Sequence, residues 1–462
     1  MKLQENDRIA VIGGGPAGAM TGFFLLELAS RIGLTLQVDI YEPRDFSLHG
    51  PKGCNMCAGV VSESLVQTLA AEGINLPPMV VQRGIDSYVL HTSDLKPVSI
   101  DTPADDLRIA TVFRGGGPRQ PTGDQQWGGF DHYLLELASE RGARVVPEKV
   151  SDLTFDKDRP QVVIRSGERV TYDFLVGAVG VNAPILKKFE NLTGPEFKPP
   201  PVTRGFVSEI YLGSEVVQEY LGSSMHIFLL DIKGLKFAAI IPKVEYVTVC
   251  LMGDDIDKEL VRQFMTSAEV RSCFPPDFEW KKGMSNVCEV GEQVCTCAPK
   301  LNVGPAVQPF ADRVVMVGDS AVSRLYKDGI GAAYLTAKAV AVTSVFFGIS
   351  KNDFEAQYKP VYGRVAFDNR IGTVIFLITL LYQKLRFMRR GMVRMVMDEE
   401  SMTFQRRIMS RVLWDTFTGS ATYREIFLRT LTPIFFLRLV GATIKSYWST
   451  LRGKGHDREI AG

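Results

Sequence analysis

Residues 8–33 read RIAVIGGGPAGAMTGFFLLELASRIG: a short apolar run, a cluster of glycines, and a long apolar stretch closed by Gly33. This pattern predicts a strand, a tight turn and a helix. Gly13, Gly15 and Gly18 match G-x-G-x-x-G, and each has a task in that setting. Gly13 makes the turn, Gly15 lets the backbone approach a pyrophosphate, and Gly18 lets the helix lie against the strand. Pro16 and Ala17 open the helix, whose free amides and positive dipole end favour phosphate. Working outward, LTLQVDIYE (34–42) alternates Leu34, Leu36, Val38 and Ile40 and ends on Glu42. A carboxylate there accepts hydrogen bonds from both hydroxyls of an adenosine ribose and repels a 2′-phosphate. A second GGGP, at 115–118, is followed by RQPTGDQQWGG instead of an apolar helix. It reads as a loop, so the chain has one dinucleotide fold.

The 462 residues, 45% hydrophobic and 23% charged, leave room for two or three domains around a large core. The formal net charge of +1 is unevenly spread. Residues 361–462 hold seventeen Lys/Arg against eight Asp/Glu, so this tail is strongly basic and the remainder acidic. Such asymmetry suits a part that meets an anionic surface. The basic residues are interleaved with Ile, Leu, Phe and Met, which points away from nucleic acid and toward a lipid interface. IGTVIFLITLLY (371–382) is too short to cross a bilayer, for which about twenty residues are needed. FLRTLTPIFFLRLVGATIKSYW (427–448) mixes Arg429, Arg438 and Lys445 with apolar neighbours and ends on an aromatic anchor, Trp448. The alternative is a helical cap packed on the protein's own core. Met388, Met392, Met395, Met397, Met402 and Met409 read either as packing filler or as the lining of a tunnel for a long chain. No secretory leader precedes the first strand, and seven unevenly spaced cysteines favour a reducing compartment. Together these features predict a cytoplasmic protein, peripheral on the inner face of the membrane.

Three further segments extend the first motif. DRVVMVGDSAVSRLYKDGIGAAYLTAKAVA (312–341) predicts a buried strand ending at Gly318 and Asp319, then a glycine-containing loop opening a helix. Asp319 can bind a polyol hydroxyl, and the amides of Gly329, Ile330 and Gly331 can face a pyrimidine-like carbonyl or a phosphate. TYDFLVGAVGVNAPILKKF (171–189) places Gly180 after another strand. VFRGGG (112–117) and GGFDHYLLELASERGARVV (128–146) put Arg114 ahead of a helix opened by Phe130 and Asp131. The four segments together resemble the flavoproteins of the p-hydroxybenzoate hydroxylase fold group. That resemblance implies FAD, held by Gly13, Gly15, Pro16, Ala17, Gly18, Glu42 and Arg44 at one end. It places Arg114 and Gly180 against the cofactor, and Gly318, Asp319, Gly329, Ile330 and Gly331 at the other end. The group ordinarily has Asp-Gly where this chain has Val179 and Gly180. For Arg114 the competing reading is a solvated loop arginine.

GCNMCAGVV (53–61) bears on the substrate. CAGVVSESL (57–65) resembles the K-x-C-x-G-x-x-S region of the geranylgeranyl reductase family through Cys57, Gly59 and Ser62, with Lys52 displaced and Cys54 added. That family saturates carbon–carbon double bonds of prenyl chains. The resemblance implies an FAD-dependent reductase of a long isoprenoid lipid, with Cys57 a candidate catalytic residue by position. Electrons would come from an external donor, NAD(P)H or ferredoxin-like. Cys54 and Cys57, with Cys295 and Cys297 of VCEVGEQVCTCAPKLNVGP (287–305), which also contains Cys288, admit three readings: small buried residues, a redox-active pair, or ligands of a metal or cluster.

The expected architecture is mixed α/β: a Rossmann-like FAD-binding domain with an inserted antiparallel sheet and a helical C-terminal region. Residues 1–185 form the first part of the FAD domain, with a small substrate-domain excursion near 80–112. Residues 186–298 form the antiparallel substrate sheet, including a helix near 258–272. Residues 299–360 complete the FAD domain, and 361–462 form a basic amphipathic helical region. Rival functions are an electron-transfer flavoprotein serving membrane quinone through a cysteine-ligated cluster, a flavin hydroxylase or halogenase, and a lipid-binding protein on a relic fold.

Overall fold

The computed structural model describes residues 1–102, 108–118, 128–276, 278 and 295–451. A six-stranded sheet forms one centre, ordered Phe310–Ala311, Val314–Met316, Phe174–Gly177, Arg8–Ile12, Gln37–Tyr41, Arg144–Val146. All its pairings are parallel except the edge hairpin at Phe310–Ala311. The first strand lies inside, with Ile9 between Val38 and Phe174. Parallel strands covered on both faces read as unbroken apolar runs, which is how IAVI (9–12) and FLVG (174–177) read. Ile9 and Val11 face the helices Pro16–Arg31, Phe130–Glu140 and Gly329–Val342. Ala10 and Ile12 face a three-stranded antiparallel sheet, Val150–Asp156, Arg159–Ile164 and Arg169–Thr171. The mixed α/β architecture is therefore the one expected.

A second sheet has seven strands, ordered Cys295–Cys297, Phe206–Tyr211, Tyr246–Gly253, Leu235–Pro242, Ser224–Leu229, Ser87–Thr92, Val98–Asp101. It is antiparallel except where Ser87–Thr92 runs parallel to Ser224–Leu229. The exception arises because Ser87–Thr92 comes from an early excursion of the chain and is not joined to its neighbour by a hairpin. The helix expected near 258–272 breaks at Ser267 into Lys258–Thr266 and Ala268–Arg271. One sheet face packs on these helices through Phe228, Ile240 and Val249. The other, with Met225, Ile227, Phe237 and Ala239, faces the first domain and the tail.

The tail forms the helices Lys359–Lys384, Arg386–Glu399, Ile408–Thr418, Tyr423–Thr430 and Pro433–Leu451. It packs on the seven-stranded sheet: Trp414 is fully buried, stacks on Tyr88 at 4.5 Å, and donates to Glu63 Oε1 at 2.9 Å. Met392, Met395 and Met409 belong to the same core. Segment 371–382 is no short isolated helix. It lies in a continuous 34-residue run, Lys351–Lys384, long and apolar enough to cross a membrane by length and composition. Yet Asp368, Asn369 and Gln383 on this run are buried and hydrogen-bonded to the protein. The opposite side exposes Phe367, Val374, Leu377 and Leu381, and Pro433–Leu451 exposes Leu437, Ile444 and Trp448. The core-cap arrangement and an outward apolar face thus coexist on two sides of the same helices.

Candidate functional site

One cavity of about 990 Å³ runs from the first glycine turn to the seven-stranded sheet. The three motif glycines divide their tasks. Gly13, at φ +104°, has room for no Cβ, which would lie 2.5 Å from the Ala178 carbonyl oxygen. A Cβ on Gly18 would lie 1.8 Å from the Gly13 oxygen. Gly15 is the open position: its nearest neighbour is the Asn55 side chain, and it lines the cavity with Pro16 and Ala17. Gly15 caps the helix with no side-chain hydrogen bond, so the helix start presents amides that have no intrahelical partner. Glu42 is buried, with Oε2 accepting from Gly14 N at 2.9 Å and Oε1 from Arg44 N at 3.0 Å. Burial raises its carboxyl pKa, and those two amides oppose the rise. Each oxygen keeps a lone pair for a further donor.

A polar chain crosses this end of the cavity. Arg44 Nη1 donates to Asn55 Oδ1 at 2.6 Å, and Asn55 Nδ2 donates to Asp131 Oδ2 at 2.5 Å. Arg114 grips Asp131 through two bonds of 2.5 and 2.9 Å. Arg114 is no solvated loop arginine: its side chain is 10% exposed and lines the cavity. The amides of Phe130 and Asp131 donate to the carbonyls of Phe113 and Arg114, which sets the arginine at the helix start despite the intervening insertion. Burial works to lower the Arg114 pKa, but the Asp131 charge and the Cys57 side chain outweigh it and raise the value. Asn55 was not anticipated, since a lone Asn between two cysteines carries no spacing signal.

The late motif closes on the first. A Cβ on Gly318, at φ +60°, would lie 2.6 Å from that of Ala17, so this strand end touches the first helix. Asp319 lines the cavity, and burial raises its pKa against a hydrogen bond from Ser323 and the charge of Arg114. Gly329 and Ile330 also line the cavity. Gly331 corrects the expectation: its amide donates to Asp328 Oδ1 at 3.0 Å, so the protein itself takes it. Asp328, left-handed at φ +46°, caps the helix and pairs with Arg324 at 2.6 Å. Gly180, at φ +64° and with nothing within 4 Å of an added Cβ, lines the cavity beside Val179.

The far half of the cavity is apolar. Val207, Met225, Ile227, Phe237, Ala239 and Ile241 of the seven-stranded sheet face it, joined by Phe417 of the tail. None of the six tail methionines lines it; Met392, Met395 and Met409 are buried in the core, and Met397 packs against them. Lys327 is a cavity-wall group that the sequence did not single out. Its Nζ donates to the Asp415 carbonyl at 2.8 Å and sits 4.0 Å from the centre of the Tyr423 ring. Burial, with the Arg324 charge pressing the same way, lowers its pKa to about 7. Lys243 and Glu209 form a buried pair at 2.7 Å, the ammonium 4.1 Å from the centre of the Phe113 ring.

Cys57 lines the cavity, next to Arg114. Burial pushes Cys54 upward and Cys250 and Cys297 up to about 12, opposite to the lowering that marks a reactive thiol. Cys54, Cys57 and Cys295 lie close enough to Cys297 to raise its pKa further, so the two cysteine pairs do converge. They do not form a single-ion site. Among the described residues, the one group of three or more His, Cys, Asp or Glu ligand atoms within 4.8 Å of one another is His91, His226 and Cys273. Cys288 lies outside the described residues.

No family model matches the chain, and no curated protein matches it by sequence. Solved structures do. A geranylgeranyl bacteriochlorophyll reductase-like protein from Thermoplasma acidophilum is 13% identical, covering 96% of this chain and 100% of that one, with a TM-score of 0.60. A flavin-dependent brominase is 15% identical over 89% of this chain and 99% of its own, with a TM-score of 0.58. A p-nitrophenol 4-monooxygenase from Pseudomonas putida is 14% identical over 95% and 99%, with a TM-score of 0.52. The chain therefore has the fold that this reductase-like protein, brominase and monooxygenase share, as its four motifs led one to expect.

Proposed function

We propose that the chain is an FAD-dependent oxidoreductase that reduces carbon–carbon double bonds of a long isoprenoid lipid at a membrane surface. The observation that carries this reading is the continuity of one cavity, polar and glycine-lined at one end and apolar at the other. The residues present suit FAD. Gly15 leaves space before a helix start whose amides lack intrahelical partners, Glu42 offers lone pairs at a strand end, and Asp319 offers a buried carboxylate. Gly180 adds room where a side chain would intrude into the cavity. When bound, FAD supplies hydride chemistry that no side chain offers. The similarity to a reductase-like protein over nearly its whole length supports the substrate class, as does the Cys57, Gly59 and Ser62 pattern.

The chain's own part is alignment, dryness and a proton. An unactivated alkene is a poor acceptor, so the apolar wall from Val207 to Phe417 must hold it still and exclude water. Two wall groups can hold the proton that completes reduction, the Cys57 thiol and the Lys327 ammonium, and a pKa near 7 suits Lys327 to that task. Electrons come from an external donor, NAD(P)H or ferredoxin-like, which docks transiently because the described residues offer one dinucleotide fold. The site of action is the cytoplasmic face of a membrane. To test this, purified protein is examined for a flavin spectrum, then reduced without oxygen and incubated with geranylgeranyl lipids. Stepwise gain of two hydrogens per double bond is expected. A flavin spectrum with no mass gain, but with substrate-coupled oxygen uptake, would favour the monooxygenase chemistry of other proteins sharing this fold.

A further inference from the structure

Three metal-ligating side chains meet on the sheet face turned away from the cavity. His91 belongs to Ser87–Thr92, His226 to Ser224–Leu229, and Cys273 follows the helix Ala268–Arg271. Strand alternation sends Met225 and Ile227 into the cavity wall and His226 and Phe228 the other way. Nε2 of His91 lies 2.9 Å from Nδ1 of His226, and Sγ of Cys273 lies 3.2 Å from the second and 3.8 Å from the first. All three side chains are buried, and the His91 ring is stacked on Phe228 at 4.5 Å, which fixes its direction.

Hydrogen bonding explains this cluster incompletely, although the Cys273 S–H also has the Glu269 carbonyl at 3.6 Å. A neutral imidazole has one donor and one acceptor nitrogen. If His226 Nδ1 carries a lone pair, it accepts one proton, from His91 or from Cys273 but not from both. If it carries the proton, it faces two acceptors. Either way one short approach lacks a hydrogen. An ion would take a lone pair from each atom at once. A point equidistant from three atoms so separated lies about 2 Å from each, close to the roughly 2.0–2.3 Å of zinc–nitrogen and zinc–sulfur bonds.

We propose that His91, His226 and Cys273 form a buried site for a thiophilic d10 metal ion, Zn2+ or Cu+. On binding, the Cys273 S–H bond breaks, its proton leaves to solvent and a sulfur–metal bond forms, with no change of oxidation state. Thiolate and two imidazoles leave Cu+ electrically neutral in three-coordination, whereas Zn2+ retains one positive charge and calls for a fourth donor such as water. The ion would tie the early strand Ser87–Thr92, the strand Ser224–Leu229 and the helices outside the sheet into one unit. This site does not depend on the flavin reading, since none of its ligands touches the cavity.

The test uses the full chain, purified under reducing conditions. Metal analysis is expected to find one ion per chain. Chelator-stripped protein should take up one equivalent of Co2+ with a thiolate charge-transfer band, which Zn2+ or Cu+ then displaces; the tighter competitor identifies the ion. Cys273→Ser and His226→Asn should each lose at least tenfold in affinity, while Cys57→Ser retains the ion. Because substitution in a core can unfold it, X-ray absorption on the wild-type protein gives a reading that needs no variant: one sulfur and two nitrogens are expected. A shell of three or four sulfurs would move the ion to the cavity cysteines. That result, or failure of the wild-type protein to bind any of the three ions stoichiometrically, overturns the proposal.

Discussion

Gly15 and Gly18 stand three residues apart in one motif, yet the surroundings of each predict opposite failures. A Cβ at position 18 would lie 1.8 Å from a carbonyl oxygen, so Gly18→Ala must part helix from strand, at a cost of about 1–3 kcal/mol in urea unfolding. Gly15 has only the Asn55 side chain near, so Gly15→Ala should melt close to the wild type. Its methyl would intrude into the cavity where the proposed site takes the pyrophosphate, and flavin content after gel filtration should fall at least tenfold. Full flavin retention in Gly15→Ala would remove that residue from the proposed site. Lys327 makes a different kind of test. Its ammonium titrates near about 7 in the fold against 10.5 for the ordinary group, lowered chiefly by burial. Between those values the unfolded chain binds the extra proton, so stability rises with pH through the window, and the contribution is lost as pH falls through about 7. Lys327→Met abolishes this titration. The unfolding free energy of the wild type minus that of the variant should therefore climb from about pH 7 to about pH 10, and a flat difference would mean that Lys327 remains charged in the fold.

Between elements, several side chains join the tail to the cofactor end, and Asn369 is one of them. Asn369, on Lys359–Lys384, accepts from Leu325 N at 2.9 Å and donates to the Ser323 carbonyl at 2.7 Å. Arg324, between them, donates to the carbonyls of Gly419 and Ala421. The loop from Asp319 to the helix at Gly329 is thus held from outside the first domain. Asn369→Leu leaves a buried amide and carbonyl unsatisfied, at about 1–3 kcal/mol each, and flavin should dissociate several-fold faster, read by fluorescence recovery on dilution. Lowered melting with unchanged flavin release would break the link between tail and cofactor. This junction was not legible in the sequence, because one polar residue inside an apolar helix has no periodicity of its own. The strand–turn–helix at 8–31 was legible because its signals are local: four apolar residues, three spaced glycines, and a proline at the helix start. The sheet strands could be read from their apolar runs, but not the parallel pairing of Ser87–Thr92 with Ser224–Leu229, which joins segments far apart in the chain. Gly331 was misassigned although the signal was present, for Asp328 stands three residues ahead of it, the N-cap spacing that takes up that amide.

Over the whole molecule, charge and exposure point the same way. The basic tail covers the apolar face of the seven-stranded sheet, and Phe417 and Thr418 carry it to the cavity wall. On its outer side, Phe367, Val374, Leu377 and Leu381 recur at intervals of seven, three and four residues along one helix. Ile434, Leu437, Ile444 and Trp448 do the same, at three, seven and four residues, along another. Scattered exposed apolar residues are ordinary, whereas ordered stripes of this kind mark a surface that meets something apolar. The packed polar residues Asp368, Asn369 and Gln383 argue that these helices stay with the protein and present one side outward, as an interfacial helix does. Under the proposed function, a lipid substrate would pass from the bilayer into the cavity without crossing water. Sedimentation with vesicles checks this. Binding to anionic vesicles should exceed binding to neutral ones and weaken as salt is raised, since each basic residue near an anionic surface contributes about 1 kcal/mol. Leu437→Glu and Leu377→Glu should each lower vesicle affinity at least tenfold, because each both removes buried apolar area and adds a repelled charge. Neither side chain supports the core, so the melting temperature should hardly move. Equal binding of wild type and both variants, or none by any of the three, would leave the stripes to a protein partner and require the lipid to reach the cavity by another route.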